Sequence, residues 1–145
     1  MRSRPLLLAL SLALAVAGCD DPLAPEDVAG TYVLTAPLPA VAVGEFFQQL
    51  VADTVVVRRD GTASRSGAIE RTLTGSGPGT RIPTRSGYTF ELEDGAIGLL
   101  WQCPIDAMCV AMVRREWYDL VGGALALRAR DGTGAMYRRV GAPAR

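Results

Sequence analysis

The chain has 145 residues, with 15 basic and 15 acidic side chains, every basic one an arginine, and it contains neither lysine nor histidine. Without histidine there is no Ser-His-Asp or Cys-His arrangement, and without lysine no Ser-x-x-Lys nucleophile or Schiff base, so the common hydrolase designs are excluded and the chain is read as a non-enzyme. The balanced charge carries no nucleic-acid signature, and no cofactor or metal is expected, because two thiols without histidine do not make a four-coordinate zinc site.

At the N-terminus Arg2 and Arg4 precede an apolar run from Leu6 to Val16, and Val16-Ala17-Gly18-Cys19 sets small residues before a cysteine. The run is shorter than the roughly 20 apolar residues of a spanning helix, and its flanks are those of a removed signal. The pattern resembles the bacterial lipoprotein signal, which implies cleavage before Cys19, lipidation of Cys19 and anchoring in the bacterial cell envelope. Several acyl chains make a stable anchor, at about 0.8 kcal/mol per buried CH₂. Asp20 leaves inner and outer membrane both open. The expected division is residues 1–18 as signal peptide, 19–27 as lipidated cysteine and tether, and 28–145 as a single β-domain.

From residue 30 the chain reads as short alternating runs separated by turn dipeptides. Gly30 to Thr35 is a first strand, with Tyr32 and Leu34 on one face. Val43, Phe46, Phe47, Leu50 and Val51 then match the i, i+3, i+4, i+7, i+8 template, predicting a short helix over 43–52, with a bent strand as the alternative. Thr54 to Arg59, Asp60-Gly61 and the return from Thr62 form the best hairpin signal, because such a loop favours positive φ. Residues 73–86, rich in Gly, Ser, Thr and Pro, read as a mobile connection. Gly87 to Glu93 alternates, Asp94-Gly95 turns, and Ile97, Leu99 and Trp101 share one face of the next strand. Glu91 and Glu93 belong to the solvent side of theirs. After a cysteine loop come Val110 to Leu120, then Gly122-Gly123, Ala124 to Arg130 with Leu125 and Leu127 inward, Asp131 to Gly134 as a turn, and Met136 to Val140 as the last strand. The fold class is therefore all-β, a small antiparallel up-and-down barrel, with a β-sandwich as the alternative.

With Cys19 assigned to lipid, Cys103 and Cys109 remain, and in an oxidising compartment their short loop suits a structural disulfide, contributing about 2 kcal/mol on the chain-entropy view. The pairs Arg58-Arg59, Arg114-Arg115 and Arg138-Arg139 lie in or beside strands, so one member of each faces the interior or its rim. Converging at a barrel mouth they bind a carboxylate or phosphate; otherwise they reach solvent or pair with Glu70, Glu91 and Glu116.

The lipobox, the Gly30-Thr31-Tyr32 opening of the first strand, a later strand ending in Arg-Asp-Gly-Thr, and the final Tyr137-Arg138-Arg139 resemble the small bacterial lipocalin-like lipoproteins. In lipocalins a Gly-x-Trp motif opens the first strand and a last-strand arginine packs across the tryptophan; here Tyr32 stands two residues after Gly30, and Arg138 or Arg139 takes the arginine's place. The resemblance implies a monomeric barrel that holds a small amphipathic or hydrophobic ligand, lined by residues among which Tyr32, Phe90, Leu92, Trp101 and Leu127 are candidates, with Arg138 and Arg139 as candidate anion contacts. The competing expectation is a filled-core interaction domain for an envelope partner, with an apolar patch around Trp117 and Tyr118.

Overall fold

A computed structural model of the chain describes residues 22–75, 77, 79–104, 114–122 and 126–141. One helical turn, α1 (Pro25–Val28), precedes nine strands: β1 (Gly30–Leu34), β2 (Val41–Val43), β3 (Phe46–Val57), β4 (Thr62–Leu73), β5 (Thr80–Glu93), β6 (Ala96–Gln102), β7 (Arg115–Val121), β8 (Ala126–Ala129) and β9 (Met136–Val140). Each of β3 to β9 pairs antiparallel with the next, β9 pairs with β1, and β1 pairs with β3, so eight strands close an up-and-down barrel. β2 is the additional strand, hydrogen-bonded to the start of β3.

The hairpins form where the Asp-Gly dipeptides predict them. Asp94 and Gly95 both adopt positive φ (41° and 76°), the twist that joins β5 to β6 without splaying them. At the β3–β4 turn the Asp60 carboxylate accepts from the Thr62 N–H (3.0 Å) and hydroxyl (2.7 Å). Asp131 repeats this with Thr133 between β8 and β9, at 2.9 and 2.6 Å. In both places the carboxylate satisfies a backbone donor that the sharp reversal leaves outside the ladder.

Residues 43–52 do not form the expected helix. Gly44, at φ 60°, turns β2 into β3, and β3 pairs along β4 from Phe46↔Leu73 to Val57↔Ala63. The residues of the helical template divide between the two faces of the strand, Phe46 and Leu50 on one and Phe47 on the other, and a bulge follows between Leu50 and Ala52. The extra residue reverses the alternation, so Phe46, Gln48 and Leu50 face inward before it and Asp53, Val55 and Val57 after it. The connection expected over 73–86 is also shorter, since β5 begins at Thr80. Pro83 is tolerated there because β6 pairing ends at Gly87↔Gln102, and among the described residues no strand pairs with that edge of β5 beyond it. Of the expected tether, Pro25 to Val28 is helical, with proline at the first turn, where its missing N–H costs nothing.

The two ends of the barrel differ. At the α1 end Val28, Ala29 and Tyr32 are fully buried, and the Tyr32 hydroxyl donates to the Val28 carbonyl at 2.6 Å. Arg139, opposite Tyr32 in register, donates to the carbonyls of Ala29 and Asp27, and Gly30 leaves room for its guanidinium. Above this plug Val55, Val57, Ile97, Leu99, Leu127 and Tyr137 fill the barrel, each contributing about 1.5–3 kcal/mol through burial. At the opposite end β3, β4 and β5 run longest, and among the described residues it is open.

Candidate binding site

Midway up the barrel five inward side chains from four strands form one polar network. Asp53 shares the inward face of β3 with Val55 and Val57, Arg65 that of β4 with Ala63, Glu116 and Tyr118 that of β7 with Leu120, and Tyr137 projects from β9. The Arg65 guanidinium donates from Nε to Asp53 Oδ2 (2.5 Å), from Nη1 to Glu116 Oε2 (2.6 Å) and from Nη2 to the Tyr137 hydroxyl (3.1 Å). Tyr137 donates onward to Asp53 Oδ2 at 2.7 Å, and Tyr118 to Glu116 Oε2 at 2.9 Å. The two tyrosine rings meet edge to face, 5.7 Å between centroids.

The charges in this network hold one another. Burial works against the charged form of Arg65, yet the Tyr118 and Tyr137 oxygens and the Asp53 and Glu116 carboxylates outweigh it and raise its pKa. Burial also pushes the hydroxyls of Tyr118 and Tyr137 well above the usual tyrosine value, against the opposing pull of Arg65. Asp53 is 2% exposed, and its Oδ1 is a buried acceptor without a hydrogen bond.

This network floors a cavity of about 310 Å³. Leu50, Ile69 and Tyr88 form its apolar wall, Thr84 and Ser86 supply hydroxyls, Arg65 and Glu116 lie at the base, Arg114 stands at the rim, and Arg85 borders it from the outer face of β5. A second cavity, of about 380 Å³, shares Leu50 and Ile69 with it and is otherwise lined mainly by Leu38, Pro39, Val41 and Gln48. The segment carrying Leu38 is fastened across the mouth, its N–H donating to the Leu50 carbonyl (2.9 Å) and its carbonyl accepting from the Gln49 side chain (2.8 Å). The open end thus joins an apolar compartment to one rimmed by arginine.

None of the family models, curated proteins or solved structures compared with the chain matches it. The site is therefore read from its geometry.

The residues expected to line a ligand lie elsewhere. Tyr32 and Leu127 are fully buried in the filled half, and Phe90, Leu92 and Trp101 are partly buried against that core; none of the five borders the two open-end cavities. Arg138 is exposed on the outer face. Arg139 faces inward opposite Tyr32 in register, but its guanidinium is engaged with backbone carbonyls at the closed pole, away from the mouth. Arg65 and Arg114 occupy the place expected for anion contacts. Of the acids expected to pair with arginine, Glu91 meets Arg115 at 3.1 Å and Glu116 meets Arg65.

Trp117 and Tyr118 form no apolar patch. Tyr118 is inside the barrel, and Trp117 lies on the outer face over Gly98, with Arg115 and Arg130 against its ring at 5.8 and 5.6 Å. Cys19 and Cys109 lie outside the described residues, while Cys103 follows β6 at the open end.

Sequence reasoning missed Asp53 and Arg65, and named Glu116 only as an ion-pair partner. The signal was present as parity: Asp53 is two residues before Val55, Arg65 two after Ala63, and Glu116 two before Tyr118, each a charge in phase with core positions.

Proposed function

We propose that this chain is a lipid-anchored protein of the bacterial cell envelope whose barrel holds a small amphipathic molecule at its open end. The observation that carries the reading is the pair of cavities that share Leu50 and Ile69 in their linings, one apolar and the other with Arg114 at its rim. An apolar tail fits against Leu38, Val41, Leu50 and Ile69. A carboxylate or phosphate at its head meets Arg114, while Arg65, held by two carboxylates, keeps the floor polar and in place. The reading involves no catalysis and no cofactor. Cys19 supplies the anchor, and a Cys103–Cys109 disulfide braces the loop that leaves β6 at the mouth.

The filled half of the barrel supports the second reading, an interaction domain without ligand, because side chains alone occupy the interior there. Native mass spectrometry separates the two. Residues 20–145, exported to an oxidising periplasm and measured before and after organic extraction, carry an extractable adduct on the first reading. A bare protein mass before extraction rejects it.

A further inference from the structure

Beyond the barrel rim, β3 and β4 continue as a ribbon from Leu50↔Ile69 to Phe46↔Leu73, with β2 along one edge. The turn at its tip is tied down, since the Thr74 N–H and hydroxyl both donate to the Glu45 carbonyl, at 3.1 and 3.0 Å. The exposed large hydrophobic residues of the described chain gather here: Val41, Val43, Phe46, Phe47 and Leu73, from 37% exposed at Phe46 to 58% at Val41.

Register places them on both faces. Val43, Phe46 and Leu73 form one row on the inner face, while Phe47 and Ala42 stand on the outer face. A ribbon that covers a core or fits a flat partner needs one apolar face. A wedge apolar on both faces suits a medium that surrounds it. The inner row also continues through Val41 to Leu50 and Ile69, into the cavities. Glu45 lies in the tip turn itself; behind the tip, Arg71 stacks over the Phe46 ring at 5.4 Å, and Arg81, opposite Glu70, and Arg85 follow along β5. This order, an apolar tip backed by a modest excess of arginine, matches a bilayer's acyl region and the phosphates above it. The chain preceding Pro22 joins the barrel at the opposite pole, by α1.

We infer that the β2–β3–β4 tip docks into a lipid bilayer and sets the barrel mouth against it; because α1 lies at the opposite pole, that bilayer is a different one from any that holds Cys19. The docking stands on the tip alone; its purpose, transfer of an acyl-bearing amphiphile between bilayer and cavity, rests on the ligand reading above.

The test uses residues 20–145, which hold every strand and the closing β1–β3 pair but not Cys19. Wild-type protein should float with vesicles of phosphatidylethanolamine and phosphatidylglycerol, and less with phosphatidylcholine alone. Phe46→Ser/Phe47→Ser should weaken partitioning by about tenfold or more with its thermal midpoint retained. In a second variant, Phe47→Trp, emission should shift to the blue on adding vesicles, reporting insertion of the outer face. Wild-type protein remaining with the unbound fraction, the serine variant floating as well as wild type, or unchanged Phe47→Trp emission overturns the proposal. A blue shift that appears without vesicles and grows with protein concentration overturns it in favour of a second copy as occupant. Titration with dansyl-undecanoic acid separates this from the ligand reading: probe binding without flotation removes only the docking, and flotation without probe binding removes only the cavity ligand.

Discussion

Arg65 and Asp53, twelve residues apart on neighbouring strands, meet through a 2.5 Å hydrogen bond from Nε to Oδ2 inside the barrel. The same Asp53 oxygen accepts the Tyr137 hydroxyl, so one carboxylate joins β3, β4 and β9. The network is both the floor of the cavity and a cross-brace of the half-empty end.

Removing one partner should cost more than removing both. Asp53→Ala leaves Arg65 with Glu116 as its remaining carboxylate and Tyr137 without its acceptor, and should lower unfolding free energy by about 3–5 kcal/mol. Asp53→Leu/Arg65→Met should cost less than the sum of its single replacements, because it removes the buried charge with its partner. Urea unfolding of the set measures the coupling, and strict additivity would show that the contact carries no stability.

The backbone beside Asp53 imposes a second test. A Cβ on Gly67 would run into the Ala52 carbonyl at the bulge and come within 2.9 Å of Asp53 Oδ1. Gly67→Ala is therefore expected to cost about 1–3 kcal/mol through overpacking. Gly87→Ala, where nothing lies within 4 Å of the added carbon, serves as the control; equal melting of the two variants contradicts the close approach.

The two halves of the barrel should respond differently to mutation. Leu99 is fully buried in the filled half, and Leu99→Ala should cost about 2–5 kcal/mol. Leu50 borders both open-end cavities, so Leu50→Trp should fill space already empty, change stability by less than about 1.5 kcal/mol and weaken binding of dansyl-undecanoic acid by about tenfold or more. Undiminished probe binding in Leu50→Trp places the ligand elsewhere.

Alkaline pH should unfold the protein through its tyrosines. Burial raises the pKa of Tyr32, Tyr118 and Tyr137 above the usual 10.0. The folded state then retains protons that the unfolded chain releases, so the stability from these groups is intact below about pH 10 and falls as pH rises toward the folded-state values. Phenolate absorbance followed beside circular dichroism should show these three ionising together with unfolding. Their ionisation in a folded barrel would contradict the burial.

The elements that were legible in the sequence are those set by neighbours along the chain. Asp94-Gly95 turns because two adjacent residues take positive φ, and Ile97 and Leu99 share a face because a strand alternates every two residues. The helix expected at 43–52 shows where this fails. Phe46 and Leu50 face inward and Phe47 outward, and the phase of the strand then changes at the bulge before Asp53. That irregularity exists only against β4.

The sequence by itself determined an all-β chain with hairpins at its Asp-Gly turns and no histidine or lysine with which to build the common hydrolase sites. Barrel closure through β1 and β3, the plug made by α1 and Arg139, and the meeting of Asp53, Arg65, Glu116 and Tyr137 were decided by the tertiary structure. The physical reason is range. A turn or an alternation is an energy of adjacent residues, whereas the partners of Arg65 lie 12, 51 and 72 positions away and become neighbours only when the sheet closes on itself.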